Sequence, residues 1–260
     1  MYKIVTPVSH LFKIKTNAER IISYSDYLEG RDHSPAVYPE KEILFHCDLQ
    51  PIHQFSEQDF EYLLHVKKSK PFLEVVSLHL ASCYENPKLL NGVFQPNGNK
   101  IEREQLLLNA KNNLERIKSI FGSTVKIALE NNNFLKSDAY DIVTDPKFIS
   151  EIIISNNIYF LFDISHAHIS SYNLGLDFNT YINQLPLDRV IQLHICRCSY
   201  TDNLAIDSHD FPKAEEWEEV KYFMKTIPSV KYLTIEYYRE IDLLIESIKE
   251  LKIVISNVCK

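Results

Sequence analysis

The sequence predicts an α/β fold, a single (β/α)8 TIM barrel with a metal site at the carboxyl ends of its strands. The chain has 260 residues, close to the roughly 250 residues typical of that fold. Strand-like and helix-like segments alternate along the chain, which favours a parallel sheet covered by helices. No repeat or linker divides the sequence, so we expect one domain over residues 1–260.

Eight short apolar runs are predicted to form the strands. The run at 158–162, Ile-Tyr-Phe-Leu-Phe, is apolar at every position, as in parallel strands that are buried on both faces. The predicted strands lie at about 3–6, 20–24, 42–47, 73–80, 125–130, 158–163, 189–195 and 232–236.

Helical periodicity and capping residues predict the helices between the later strands. Gly122 is expected to end one helix, while Asp145 as N-cap and Pro146 at the first helical position are expected to begin another. The predicted helices lie at 103–122, 145–155, 214–227 and about 240–257. Longer polar connections remain at 25–41, 82–102 and 196–213, and the middle one is a candidate cover for an active face.

Composition limits the class of protein. No apolar run approaches the roughly 18 residues of a membrane span, and the N-terminus lacks the apolar core of a signal peptide, so a cytoplasmic protein is expected. The net charge of −7 argues against a protein built to bind nucleic acid. The main basic cluster, Lys67, Lys68 and Lys70, is predicted at the opposite face from an active site.

The five cysteines include no CxxC pair, which favours reduced core thiols over a disulfide framework. The Cys-Arg-Cys stretch at 196–198 leaves a second interpretation open, in which Cys196 and Cys198 offer two thiolates to a metal.

Each of the six later strands ends in a side chain that can bind a metal. The carboxyl ends of barrel strands are where active sites of this fold lie. The six residues are His46, His79, Glu130, Asp163, His194 and Glu236. Taken singly, such a histidine is often a hydrogen-bonded core residue, and such a carboxylate often caps a helix or pairs with a basic side chain.

Convergence of all six favours metal binding, because three carboxylates and three imidazoles would repel one another without cations between them. Arg197 and Arg239 are the nearest basic residues by sequence. Asp207 and His209, two apart, and His166, three after Asp163, are expected to join the set. Nine nitrogen and oxygen ligands suit two or three ions of zinc, iron or manganese.

Several stretches together resemble the DUF692 family of multinuclear non-heme iron-dependent oxidative enzymes, within the xylose-isomerase-like and endonuclease IV-like TIM barrels. The resemblance covers about residues 42–250 and follows the order Leu-Glu-Asn, Asp-x-x-His, His-Ile and Ile-Asp-Ser-His-Asp. The stretches are Ser77–Ala81, Ala128–Asn132, Phe162–Pro186, Arg189–Ile195, Ala205–Pro212 and Thr234–Ile241.

The resemblance to the endonuclease IV branch implies a division of the ligands among three ions. His46, His79 and Glu130 would hold the first ion. Glu130 as a bridge, Asp163, His194 and Glu236 would hold the second, and His166, Asp207 and His209 the third. Peptide-modifying members often have asparagine where His166 stands, so the third site of this chain is expected to differ from theirs.

The resemblance implies an oxidoreductase that uses iron and O2 to modify a side chain, above all cysteine, of a ribosomally synthesised peptide. It also implies a separate partner protein that presents the leader segment of that peptide, because no room for such a domain follows the predicted barrel. Alternatives on the same fold are a zinc-dependent phosphodiesterase of the endonuclease IV type, a sugar isomerase or epimerase, and a non-catalytic metal-binding protein. His168 and Asp210 are further candidates for catalytic roles.

Overall fold

The structure, a computed structural model, describes residues 2–201 and 203–259. Within these residues the strands are β1 Lys3–Pro7, β2 Tyr27–Arg31, β3 Glu42–Cys47, β4 Val75–Leu78, β5 Lys88–Leu90, β6 Val93–Gln95, β7 Lys126–Glu130, β8 Tyr159–Asp163, β9 Val190–Ile195, β10 Arg197–Thr201, β11 Leu204–Asp210 and β12 Tyr232–Ile235. The α-helices are α1 Lys15–Tyr24, α2 Glu57–Ser69, α3 Arg103–Phe121, α4 Pro146–Ser155, α5 Ile164–Leu174, α6 Phe178–Ile182, α7 Ala214–Thr226 and α8 Ile241–Val258.

Eight of the strands close into a parallel barrel, which confirms the predicted fold. The order around the ring is β1-β12-β9-β8-β7-β4-β3-β2, and every strand pairs in parallel with both neighbours. Closure brings the carboxyl ends of all eight strands to one mouth. The predicted ligands therefore meet there although they are far apart in sequence.

The predicted second strand at 20–24 is wrong. These residues form the end of α1, and the second barrel strand is β2, inside the predicted connection 25–41. Ala18 and Ile21, three apart, are the buried residues of α1. The short pair of isoleucines at 21–22 fits a strand or a helix equally well, and only packing against the barrel distinguishes them.

The capping signals of the other helices are confirmed. The Asp145 side chain accepts a hydrogen bond from the Lys147 backbone N–H at 3.0 Å, and Pro146 is the first residue of α4. The helix α3 ends at Gly122, whose φ of 77° is available to glycine at little cost. Helix α5 begins directly after β8, with Asp163 as its N-cap.

The barrel interior is layered because side chains two residues apart on a strand point the same way. At the amino ends, Glu74 accepts hydrogen bonds from Lys3 at 2.5 Å and Lys231 at 2.7 Å. The middle is apolar, and its residues include Val5, Leu44, Val75, Ala128, Leu161, Ile191 and Tyr232. Above Leu44, Ala128 and Leu161 come His46, Glu130 and Asp163.

Two antiparallel hairpins stand at the mouth, within the predicted long connections. β5 pairs with β6, and β10 pairs with β11. At the opposite face, Lys67 and Lys68 are exposed, whereas Lys70 is only 7% exposed and pairs with Glu42 at the start of β3. Among the described residues, no helix combines the length and apolarity that crossing a membrane requires.

Candidate metal centre

Glu130, at the end of β7, lies among four imidazoles. Its Oε2 is 3.1 Å from His79 Nδ1 and 3.5 Å from His46 Nε2. Its Oε1 is 3.0 Å from His194 Nδ1 and 4.0 Å from His166 Nδ1. The two oxygens therefore face two different groups of nitrogen atoms, an arrangement in which one carboxylate can bridge two cations.

Asp163 connects the end of β8 to the start of α5. Its Oδ1 accepts a hydrogen bond from the His166 backbone N–H at 2.7 Å. Its Oδ2 lies 3.8 Å from His194 Nδ1 and 3.8 Å from His166 Nε2. The neighbouring Asn131 fixes this corner, because its side chain exchanges two 2.9 Å hydrogen bonds with the Asp163 backbone. The strand ends at Asp163 because its carboxylate both caps the helix and faces the centre.

The hairpin of β10 and β11 adds Asp207 and His209. Asp207 Oδ2 is 3.4 Å from His166 Nε2, and Asp207 Oδ1 is 3.4 Å from His209 Nδ1. His209 Nε2 is 3.5 Å from Glu236 Oε2. His209 has a φ of 45°, a left-handed conformation that is costly for a residue other than glycine and that clusters at functional sites.

All nine predicted ligands thus belong to one connected cluster. Glu236, at the end of β12, completes it, since its Oε2 is 3.4 Å from His194 Nδ1. His46, His79 and Glu130 lie close enough to share one cation, and so do Glu130, Asp163 and His166. Their roles as ligands stay a prediction.

Each buried histidine has one ring nitrogen held by the protein and the other facing the centre. His46 Nδ1 lies 2.8 Å from Ser77 Oγ, and His166 Nδ1 lies 2.8 Å from the Asn131 carbonyl oxygen. His194 Nε2 lies 3.4 Å from Glu29 Oε2. Outer contacts of this kind orient metal-binding imidazoles and fix which nitrogen is free.

The centre holds more negative than positive fixed charge. Burial works to lower the pKa of His194, but the charges of Glu236 and Glu29 outweigh it and raise that pKa well above its ordinary value. Burial raises the pKa of Asp163 to about 7, although His166 pulls it down. Without cations, protons must therefore balance the carboxylates, and cations that bind can replace them.

Two important residues of the centre were missed because β2 was not predicted. Arg31 pairs with Glu29 at 2.7 Å and with Glu236, and Glu29 has no exposed surface. The alternation in Tyr-Leu-Glu-Gly-Arg is the signal that could have revealed a strand with its polar face inward. Arg31, and not Arg197 or Arg239, is the guanidinium among the predicted ligands.

His168 and Asp210, the further catalytic candidates, lie beside the cluster. His168 Nε2 is 2.9 Å from the Glu219 carboxylate, and its ring stacks on Phe178 with centroids 3.9 Å apart. Asp210 accepts hydrogen bonds from Ser199 at 2.6 Å and from Arg239 at 2.5 Å. Both side chains therefore have protein partners that hold them in place.

A cavity of about 890 Å³ lies above the centre and opens to solvent. His79, His166 and Asp207 lie at its floor, and the β5–β6 hairpin contributes one wall, as the sequence suggested for 82–102. Its amide side chains are Gln50, Asn91, Gln95, Asn132 and Asn133. Lys136 is the only lysine or arginine among the described residues that line it.

Comparisons with known proteins give a family match. The sequence model of the family described as "RiPP precursor modification enzyme MbnB/TglH/ChrH" matches residues 55–258. A "UPF0276 protein" of Caulobacter vibrioides is 34% identical over 86 residues, which are 33% of this chain and 31% of that relative. A "UPF0276 protein" of Acaryochloris marina is 22% identical over 109 residues, 42% of this chain and 39% of the relative. The chain thus spans about a third of the length of the curated relatives it matches.

Solved structures share the fold at low identity. An L-ribulose 3-epimerase has a TM-score of 0.62 at 14% identity, over 99% of this chain and 96% of that chain. A D-psicose 3-epimerase from Clostridium cellulolyticum H10, solved with D-tagatose, has a TM-score of 0.63 at 11% identity, over 98% of both chains. At these identities the likeness shows a shared barrel architecture.

Proposed function

This chain belongs to the MbnB/TglH/ChrH family of RiPP precursor modification enzymes, and from that premise we propose that it oxidatively modifies a side chain of a ribosomally synthesised peptide. Cysteine is the side chain we favour, O2 the co-substrate, and about two to three iron ions the cofactor.

The observation that carries the proposal is a set of buried polar atoms that have no hydrogen-bond partner. Five such side-chain atoms occur among the described residues, and three of them are Asp163 Oδ2, His194 Nδ1 and Asp207 Oδ1; the other two are Ser165 Oγ and Gln192 Oε1. Buried polar atoms are rarely left unpaired, since each costs about 1–3 kcal/mol. All three belong to the same cluster of imidazoles and carboxylates, so cations at its centre would satisfy them together. The donor set therefore fits metal ions.

We propose the ligand groups that the sequence suggested. His46, His79 and Glu130 would hold one ion, and Asp163, His194 and Glu236 with the other Glu130 oxygen a second. His166, Asp207 and His209 would hold a third. Iron held there would supply one-electron exchange with O2 and an attachment point for a thiolate.

The side of the centre that faces the cavity is where we expect the substrate. His194 has no exposed surface and His46 is 3% exposed, whereas the His79 side chain is 28% exposed and lines the cavity. The chain encloses the centre on the barrel side and leaves it open near His79 and Asp207. We expect a substrate side chain to approach from that side.

The cavity lining favours an extended peptide over a nucleic acid. Amide side chains can both donate to and accept from a peptide backbone. Asp48 and Asp207 share the lining with Lys136, the one lysine or arginine among its described residues, which does not suit a phosphate backbone. One domain over residues 1–260 and a separate partner that presents the leader segment remain part of this proposal.

Metal analysis of anaerobically purified protein, with EPR on the same sample, tests the proposal. We expect about two to three irons per chain and a signal from coupled irons of mixed valence. A precursor peptide supplied with O2 should then change in mass only when iron is present. Zinc alone after iron-replete expression, with cleavage of abasic DNA or turnover of a sugar, would contradict the proposal.

A further inference from the structure

Cys196 lies at the edge of the centre, outside the nine predicted ligands. It directly follows β9 and stands two residues after His194. The Cys196 side chain is buried, with 4% of its surface exposed. Its Sγ, a ring nitrogen of His209 and a carboxylate oxygen of Glu236 all lie within 4.8 Å of one another.

The surroundings of Glu236 leave one of its oxygens available on this side. Glu236 Oε1 accepts a hydrogen bond from Tyr238 at 2.9 Å and pairs with Arg31. Glu236 Oε2 faces His194 Nδ1 at 3.4 Å and His209 Nε2 at 3.5 Å. Arg31 and Tyr238 therefore hold the carboxylate with its second oxygen toward the imidazoles.

Two of the unpaired buried atoms that support the metal centre also lie next to Glu236, which indicates that a cation belongs at this side. His194 Nδ1, in a side chain with no exposed surface, makes no hydrogen bond although Glu130 Oε1 lies 3.0 Å away and Glu236 Oε2 lies 3.4 Å away. Asp163 Oδ2, equally buried, lies 3.8 Å from the same nitrogen and is also without a partner.

We propose that Cys196 is an additional metal ligand, a thiolate that binds with His209 and Glu236 to a cation at this edge of the centre. The proposal rests on the metal centre proposed above. It adds a sulfur donor to that centre and places His209 and Glu236, which were assigned there to different ions, on one cation. A coordinating thiol loses its proton to the cation that binds it. Sulfur favours iron, zinc or cobalt over magnesium and manganese, so this side of the centre should select among metals.

Cys198 provides a matched control. It is 6% exposed, close to Cys196 in burial and in sequence, and it is also a thiol. Among the described residues it belongs to no group of three potential ligand atoms. Replacing it should perturb packing about as much as replacing Cys196, without touching the centre.

Cobalt(II) titration of metal-depleted protein under anaerobic conditions tests the proposal. Bound cobalt should give a thiolate-to-cobalt charge-transfer band in the near ultraviolet for the unsubstituted protein and for Cys198→Ser. The band should be absent in Cys196→Ser and Cys196→Ala, with cobalt affinity at this edge lowered by at least about tenfold. Circular dichroism of the variants checks that they are folded.

The outcomes separate this inference from the function on which it rests. Cobalt bound at full stoichiometry without the band, or a band that survives in Cys196→Ser, would overturn the thiolate ligand and leave the metal centre standing. Failure of the unsubstituted protein to bind cobalt or iron would overturn both. If neither Cys196 variant folds, the band in the unsubstituted protein and in Cys198→Ser decides: its presence supports the thiolate ligand, and its absence overturns it.

Discussion

Four imidazoles lie within 4.0 Å of the two oxygens of Glu130, which makes this residue the link between the parts of the centre. Burial alone would raise the pKa of Glu130, yet the surrounding histidines, His46 above all, hold it well below its ordinary value. Glu130 therefore stays ionised in the interior of the barrel mouth.

Glu130→Gln should lower metal affinity by at least about tenfold, because the amide keeps the size of the side chain but loses its charge and one acceptor oxygen. Elemental analysis after equilibrium dialysis against limiting metal measures this loss. Glu74→Gln, a glutamate at the opposite end of the barrel, should retain the full metal content. Equal metal content in the two variants would contradict the bridging role.

Arg31 is the fixed positive charge that compensates Glu29 and Glu236, so its removal should matter most when no metal is bound. Arg31→Met should destabilise the metal-free protein by about 3 kcal/mol, because it removes the guanidinium that pairs with two buried carboxylates. Cations bound in the centre should make the Arg31→Met destabilisation smaller, because they supply positive charge beside the same carboxylates.

Urea unfolding of the Arg31 variant with and without metal provides the measurement. Arg116→Met is the control, since Arg116 pairs with Glu57 at the surface and its loss should change little in either state. A destabilisation of equal size in both states would show that Arg31 acts independently of the centre.

At the scale of elements, the hairpin β10–β11 is the least embedded part of the centre, and α5 holds it in place. The Asn173 side chain accepts a hydrogen bond from the Ala205 backbone N–H at 2.8 Å and donates to the Ala205 carbonyl at 2.9 Å. It also donates to the Phe134 carbonyl at 2.8 Å. One amide thus ties the strand that carries Asp207 and His209 to the barrel.

Asn173→Ala should loosen the hairpin and weaken the binding of the ion that we propose Asp207 and His209 hold. Loss of these hydrogen bonds should cost about 1–3 kcal/mol of local stability. Hydrogen exchange at 204–210 should speed up, and metal content should fall by about one ion per chain.

Asn113→Ala is the matched control for this prediction, because Asn113 donates to the Pro51 and His53 carbonyls far from the hairpin. It should destabilise the protein without changing exchange at 204–210 or metal content. If hydrogen exchange at 204–210 were the same in Asn173→Ala as in the unsubstituted protein, Asn173 would not be what holds the hairpin in place.

At the scale of the whole molecule, a network of charged side chains that stabilises the barrel lies at the end opposite to the proposed metal centre. Glu74, below the apolar layer, accepts hydrogen bonds from Lys3 of β1, from Lys231, and from Tyr232, the first residue of β12. Burial opposes ionisation, but these donors lower the pKa of Glu74 from 4.5 to about 2. The network helps to close the barrel between its first and last strands.

Glu74→Gln should destabilise the protein by about 1 kcal/mol at pH 7, a modest value because a third of the side chain is exposed. The folded-state pKa lies below the ordinary value, so this contribution is complete near neutral pH and disappears as pH falls from about 5 toward about 2. Denaturant unfolding should show a smaller difference in the free energy of unfolding between Glu74→Gln and the unsubstituted protein at pH 3.5 than at pH 7.

Glu250→Gln, at an exposed position of α8, is the control and should match the unsubstituted protein at both pH values. A Glu74→Gln effect that stays constant between the two pH values would mean that packing, and not charge, accounts for it.

The sequence by itself determined the barrel and the six strand-end residues of the centre. Alternating segments require a parallel sheet, and a closed parallel sheet brings its carboxyl ends together, so His46 and Glu236 could be placed at one mouth before any contact was known. Asp207 and His209 followed from their spacing.

Only the tertiary structure decided what depends on packing between distant segments. It placed β2 at 27–31, brought Arg31 and Glu29 among the ligands, and turned His168 toward Glu219. A short apolar run such as 21–22 suits a helix or a strand alike, and its neighbours settle which one forms. The direction of a side chain on a helix likewise depends on the element that packs against it, which local sequence does not specify.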